Sequence, residues 1–268
     1  MDRFILTKSV VIRGHDFWGR TTAVRIEPTS SRGWYWQVNG TDVHINPSML
    51  ASRRNRIALM HDKRELHVFE HLGALRFAGL DNVRLITDNA WLPYDGSAGL
   101  FWSACQPYIR RDGLSRLYTA SQRVSVARYQ GHGERSVTYE PGPSRTLEVR
   151  VYINYPELGE LDRTWTFPRV SFGEIGYTKT QGWPRWRRPF AKVASRLGWP
   201  HERAVIWPQE HSAEHTLELF ARHRALDIVG ALSVLCPAGG VLVGKVSSRC
   251  AGHADDINLI NKCWVTRV

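Results

Sequence analysis

Short stretches in which β-branched and aromatic residues alternate with polar ones, closed by turn residues, recur along this chain: VVIRG, TAVRIEP, WYWQVNG, VRLIT and RTLEVRVYINY. That period of two predicts strands. Two stretches follow the helical period instead. One runs roughly from Glu65 to Ala78, with Leu72 and Leu75 spaced for one face and Gly79 as a stop. The other runs roughly from Ser212 to Leu235, where Leu217, Phe220, Leu226 and Val229 alternate with polar positions. Strands in groups, with helices between the groups, predict an α+β chain rather than a doubly wound parallel sheet. The polar stretch RRDGLS, residues 110–115, separates the two groups and predicts a first half over 1–112 and a second over 113–268. Each half reads as strands followed by a long helix, a hint of two similar halves.

Length and composition narrow the setting. A chain of 268 residues, 43% hydrophobic and 23% charged, buries a full core as one large domain or as two of roughly 120–150 residues. The longest apolar run, Ile228 to Leu235, is broken by Gly230 and Ser233 and falls far short of the roughly 20 residues that span a bilayer. The opening MDRFILTKSVVIRGHD lacks the continuous apolar stretch of a secretory signal. A soluble, cytoplasmic monomer is expected. Cys105, Cys236, Cys250 and Cys263 form no CxxC pair and match no zinc-finger spacing, so reduced thiols in or near the core are expected.

The net charge of +11 predicts attraction to anions. Nucleic acid, anionic lipid and phosphorylated small molecules all suit that sign. Between Gly182 and Pro200, three tryptophans (Trp183, Trp186, Trp199) stand among Arg185, Arg187, Arg188, Lys192 and Arg196. This segment reads either as a surface loop and helix pinned to the core by its tryptophans, or as a basic aromatic lip for phosphate or an anionic membrane surface.

Three local patterns carry chemistry. His223 and Asp227 lie four apart and share a helix face, presenting an imidazole and a carboxylate suited to zinc. Alone, such a pair is as readily a hydrogen bond on a helix surface. Glu70 and His71 are adjacent, so one can bind a metal while the other takes a proton from water. His253 follows Gly252 near the C-terminus. Each pattern is common in isolation.

Six short segments nonetheless occur in one order: LHVFEHLGAL around Glu70 and His71, GLDN from Gly79, DGSAG from Asp95, RTWTF from Arg163, RHRALD from Arg222 to Asp227, and GHA from Gly252. Together they resemble the zinc-dependent UDP-3-O-acyl-N-acetylglucosamine deacetylases, bacterial enzymes of lipid A biosynthesis, over about residues 10–263. The resemblance implies that His71, His223 and Asp227 bind Zn2+ and leave a fourth position for water. It implies Glu70 as general base and Thr164 as a group polarising the carbonyl. His253 would stabilise the tetrahedral intermediate and protonate the departing amine. It also implies two similar halves, each a small, mainly antiparallel sheet with helices on one face, the helical layers meeting around the metal. Asp95 matches too, although its segment reads better as a turn in which Ser97 caps a helix over Leu100–Cys105.

Departures fall where the family recognises its substrate. The position four after Asp227, where the family carries an aspartate that orients the C-terminal histidine, is Ala231, leaving Asp255 or Asp256 to take that part. The lysine before the GH pair is replaced by Cys250, with Arg249 beside it. The stretch between Asn154 and Arg163 is short for the family. Trp165, Arg224 and Arg249 are the expected substrate contacts, and the expected ligand is an anionic N-acylated sugar rather than nucleic acid. Three functions follow: an N-deacetylase for another N-acyl amino sugar, the lipid A enzyme itself, or a non-catalytic binding protein on the same scaffold. Retention of Glu70, His71, His223, Asp227 and His253 argues against the third, because buried polar groups without a role are destabilising.

Overall fold

The computed structural model describes residues 2–53, 56–130, 133–142, 145–167, 172–184, 204–207, 212–236 and 239–268. The chain is α+β, with several small mixed sheets and few helices. From 185 onward the basic tryptophan segment lies outside the described residues.

Two five-stranded sheets share one topology. In the first, the spatial order is Val10–His15, Thr21–Pro28, Val83–Thr87, Trp34–Val38, Thr41–His44. In the second it is Val124–Gln130, Gly133–Glu140, Gly244–Arg249, Leu147–Tyr155, Gly159–Phe167. In both, the third and fourth strands of that order pair in parallel and all other neighbours are antiparallel. A smaller sheet repeats as well. Asp2–Leu6 lies between Ile109–Leu114 (antiparallel) and Leu80–Asp81 (parallel), as Leu117–Ala120 lies between Val265–Arg267 (antiparallel) and Val241–Leu242 (parallel). A helix precedes the last strand of each large sheet, Phe69–Phe77 and Ala213–Leu232, and a shorter one follows it, Gly99–Cys105 and His253–Ile260. Each set of strands alternates inward apolar and outward polar residues, as Val149, Val151 and Ile153 do against Arg150 and Asn154.

Two sequence expectations shift. The helix expected from Glu65 begins at Phe69, because Arg64–His67 pairs as a strand with Arg56–His61 and Val68 turns the chain with φ of 69°. The His67 N–H donates to the Ala90 carbonyl at 2.8 Å, and such long-range backbone bonds, with the strand pairing of Arg64–His67, override local helical spacing. The polar stretch at 110–115 is mostly an edge strand, paired with the chain's first strand. The second helix follows expectation: Ser212 caps it by accepting from the His215 N–H, and Ser233–Leu235 closes it as a 3-10 turn.

Helices Phe69–Phe77 and Ala213–Leu232 meet backbone to backbone. All nine residues of the first are buried. A Cβ on Gly230 would lie 1.8 Å from the Glu70 carbonyl oxygen, and one on Gly73 would lie 2.6 Å from that of Gly230. Any side chain at 230 forces the helices apart, so Gly230→Ala is expected to destabilise by about 1–3 kcal/mol, the usual range for overpacking. Urea denaturation checks this against Gly133→Ala, where an added Cβ meets nothing within 4 Å. Equal stability of the two variants would exclude the close crossing.

Candidate metal centre

The helix crossing brings together groups that are 152 positions or more apart in the chain. Asp227 Oδ1 lies 3.8 Å from His71 Nε2 and 3.5 Å from His223 Nε2, while Asp227 Oδ2 lies 3.8 Å from His253 Nε2. His71, His223 and Asp227 each offer a donor atom within 4.8 Å of the others, as do Glu70, Asp227 and His253. These separations are too long for hydrogen bonds. They suit donors around one ion, since zinc bonds of about 2.0–2.1 Å place neighbouring tetrahedral donors about 3.3 Å apart. Asp227 Oδ1 is buried without a hydrogen-bond partner. An orphaned carboxylate oxygen is costly unless a cation takes it, so the donor set fits zinc.

The surroundings hold the donors in place. His223 Nδ1 sits 3.0 Å from the Thr178 carbonyl oxygen, which favours the tautomer with its proton on Nδ1 and leaves the Nε2 lone pair toward Asp227. The His71 ring stacks on Tyr94 at 5.6 Å and 14°. Glu70 Oε2 accepts the Ile57 N–H at 3.0 Å, so the carboxyl is anchored at one oxygen.

Burial and mutual charge set the protonation states. Burial, reinforced by Asp227, raises the Glu70 carboxyl well above the ordinary carboxylate value. Burial and the neighbouring His223 push His71 down to about 3, and burial also lowers His253. Burial acts to raise Asp227, but the imidazoles of His223, His253 and His71 outweigh it and hold this carboxyl below its usual value. A carboxylate held below its usual range, beside the His71 and His253 rings that burial keeps from protonation, suits a divalent cation.

A cavity of about 550 Å³ opens beside the cluster, lined by Ser52, Arg128, Arg135, Tyr155 and His253 among others. Arg128 and Arg135 stand directly opposite each other on one hairpin. Arg128 pairs with Asp255 at 2.7 Å, whereas Arg135 has no ion pair among the described residues.

Residues 5–264 match the family described as LpxC, UDP-3-O-acyl N-acetylglycosamine deacetylase. The chain belongs to that family. The UDP-3-O-acyl-N-acetylglucosamine deacetylase of Nautilia profundicola is 22% identical over 246 residues, covering 88% of this chain and 82% of its own. The enzyme of Campylobacter hominis is 24% identical over 253 residues, covering 90% and 83%, and that of Sulfurovum sp. is 23% identical over 259 residues, covering 91% and 85%. Members of the deacetylase family are zinc-dependent amidohydrolases. Among the described residues no helix is long and apolar enough to cross a membrane.

Of the residues singled out in the sequence, Glu70, His71, His223, Asp227 and His253 come together. Thr164 does not. It is exposed on strand Gly159–Phe167, where Trp165 and Phe167 are buried and Arg163 reaches Glu218 of the Ala213–Leu232 helix. Alternation along the strand therefore turns Thr164 to the opposite face of the sheet. Trp165 is likewise packed in the core rather than on the cavity. Arg249 stacks over Tyr152 at 4.2 Å, outside the cavity lining. Arg224 reaches the cavity, but its guanidinium is forked on the buried Asp256 carboxylate at 2.6 and 2.5 Å. Asp95 closes a turn, accepting from the Ser97 N–H and hydroxyl at 2.8 and 3.0 Å. Ser97 in turn accepts from the Gly99 N–H at the start of the Gly99–Cys105 helix. The sequence reading missed Thr178, Arg128 and Arg135, whose parts depend on a backbone carbonyl and on hairpin register rather than on any local motif.

Asp227→Ala is expected to abolish zinc binding while leaving a cooperative thermal transition, because the residue lines a polar cleft and not the apolar core. Metal analysis of the purified variant checks this. A full equivalent of zinc in the variant would remove Asp227 from the ligand set.

Proposed function

We propose that this chain is a zinc-dependent N-deacetylase acting on an anionic N-acyl amino sugar. The observation that carries the reading is the buried convergence of His71, His223 and the partnerless Asp227 Oδ1, with donor atoms of Glu70 and His253 within 4.8 Å of Asp227. Zinc held by His71, His223 and Asp227 would supply Lewis acidity, making water nucleophilic near neutral pH and polarising the amide carbonyl.

The protein groups do the rest. Glu70, adjacent to His71 and within donor distance of Asp227, is placed to accept the proton that water gives up on attack. Burial raises its pKa, the direction that makes a carboxylate a stronger base. His253 faces the cluster through Nε2 and is placed to protonate the amine nitrogen as the carbon–nitrogen bond breaks. Without that proton the leaving group would be an amide anion. The repeated topology supports two halves near 1–112 and 113–268, each a sheet with helices on one face, with the centre at the meeting of the helical layers. Basic groups at the cavity support an anionic substrate: Arg135, without an ion pair among the described residues, stands on the wall opposite Arg128 in the hairpin.

The family match over 5–264 favours UDP-3-O-acyl-N-acetylglucosamine as a specific second reading. Cys250, on the cavity wall where the resembled pattern has lysine, opposes it. Acetate release from that substrate by zinc-loaded protein separates the two. Turnover that vanishes in Glu70→Ala means the lipid A reaction. A zinc-replete protein without turnover there, but active on another acetamido sugar, means a different N-acyl substrate. Failure on every N-acyl sugar, or full activity of Glu70→Ala, overturns the scheme. Arg135→Gln is expected to raise KM about tenfold with kcat retained, since a charge-assisted hydrogen bond is worth about 1.5–3 kcal/mol. An unchanged KM would exclude Arg135 as the anion contact.

A further inference from the structure

The acid His253 needs its ring held with one nitrogen toward the cluster, and the residue that does so in the resembled pattern is missing: position 231 is a fully buried alanine. His253 Nδ1 is itself buried without a hydrogen bond. Two acidic residues follow it on helix His253–Ile260. Asp255 is two positions on and otherwise engaged, accepting the Gly252 N–H at 2.9 Å and pairing with Arg128. Asp256 is three positions on, hence on the face of His253. Its Oδ2 lies 4.0 Å from His253 Nδ1, the nearest carboxylate to that nitrogen among the described ion pairs.

Asp256 is not free to turn. Arg224, next to the metal ligand His223, clamps both of its oxygens, and both side chains are almost wholly buried. The planar guanidinium fixes the carboxylate plane in a way a lysine would not. The chain from the ligand helix to the acid thus runs Arg224, Asp256, His253.

We infer that Arg224 and Asp256 are positioning residues for His253, Asp256 directing Nδ1 and so aiming Nε2 at the reacting nitrogen, in place of a carboxylate at position 231. The protons balance: the neutral imidazole carries one on Nδ1 on the side of Asp256, receives on Nε2 the proton that Glu70 took from water and gives that one to the amine, which returns both groups to their starting states. The arrangement also explains why an arginine beside His223 contributes no free charge to the cavity. The inference rests on the reading of His253 as the acid, and its test includes a measurement that needs no turnover.

The measurement is the histidine-region proton–nitrogen correlation spectrum of the full chain with and without zinc, His253 being assigned by His253→Gln. The expected result is a neutral His253 ring protonated on Nδ1, which becomes mixed or Nε2-protonated in Asp256→Asn. The same variant is expected to lose about 10–100-fold in kcat, the usual effect of removing a group that orients a functional histidine, with KM and zinc content unchanged. Arg224→Met with Asp256→Leu replaces the buried ion pair by apolar side chains, a change that folded proteins tolerate, and gives the same readouts if Asp256→Asn does not fold. An Nε2-protonated ring in the unmodified protein, or a tautomer indifferent to both variants, overturns the inference. Should the unmodified protein turn over no N-acyl sugar, the deacetylase reading fails and the spectrum alone decides the positioning.

Discussion

The close crossing of helices Phe69–Phe77 and Ala213–Leu232 is the constraint on which the rest of the structure depends. Neither helix carries a complete metal set: one brings Glu70 and His71, the other His223 and Asp227. Donors that must surround one ion leave little room for intervening side chains, and Gly73 and Gly230 remove them where the backbones touch. Each glycine weakens its helix by about 1 kcal/mol relative to alanine. Tertiary packing compensates, since the flanking Leu72, Leu75, Leu226 and Val229 are buried in the shared core. Geometry of the site and stability of the interface are therefore one property of these two helices.

Once the helices meet, electrostatics decides what the cluster can be. Three imidazoles converge on one carboxylate in a buried site, and burial opposes charging His71 and His253. A cation other than a proton resolves this best: it accepts lone pairs from neutral rings and neutralises Asp227 without adding hydrogens that have no partner. The Arg224–Asp256 pair lies one residue and one turn away, where it adds no net charge to the cluster. That neutrality lets a buried arginine sit beside a metal ligand without competing with the metal.

How much of this was legible in the sequence varies with the range of the interaction. The helical run expected from about Ser212 to Leu235 was readable because the face of a helix is encoded within a few residues, and it forms as Ala213–Leu232 closed by the Ser233–Leu235 turn. Strand segments such as RTLEVRVYINY were readable for the same reason. The start of the first helix was not, because Arg64–His67 takes its conformation from pairing with Arg56–His61. In the site, Glu70, His71, His223, Asp227 and His253 stood out as ordered matches to a family. Thr164 stood out equally and lies on the wrong face: a motif specifies residue order, whereas the face a side chain takes depends on strand register, which short matches do not carry. Thr178 left no signal, since its backbone carbonyl makes the contact and any residue there would provide one.

The pattern of change across the molecule separates two kinds of constraint. Residues whose atoms must meet one ion or one proton tolerate no substitution, and those are the residues retained. A residue that only orients another can be replaced from a different direction, provided a carboxylate still stands on the side of the same nitrogen. Ala231 and Asp256 illustrate this: the required charge lies on the helix of His253 itself, and an arginine is recruited to hold it. Substrate contacts are freer still. Cys250 leaves the cavity wall without the lysine of the resembled pattern, while Arg135, without an ion pair among the described residues, lines the same cavity from a neighbouring hairpin. A positive charge carried on the hairpin rather than the loop keeps the cavity attractive to anions without touching the residues of the candidate metal centre.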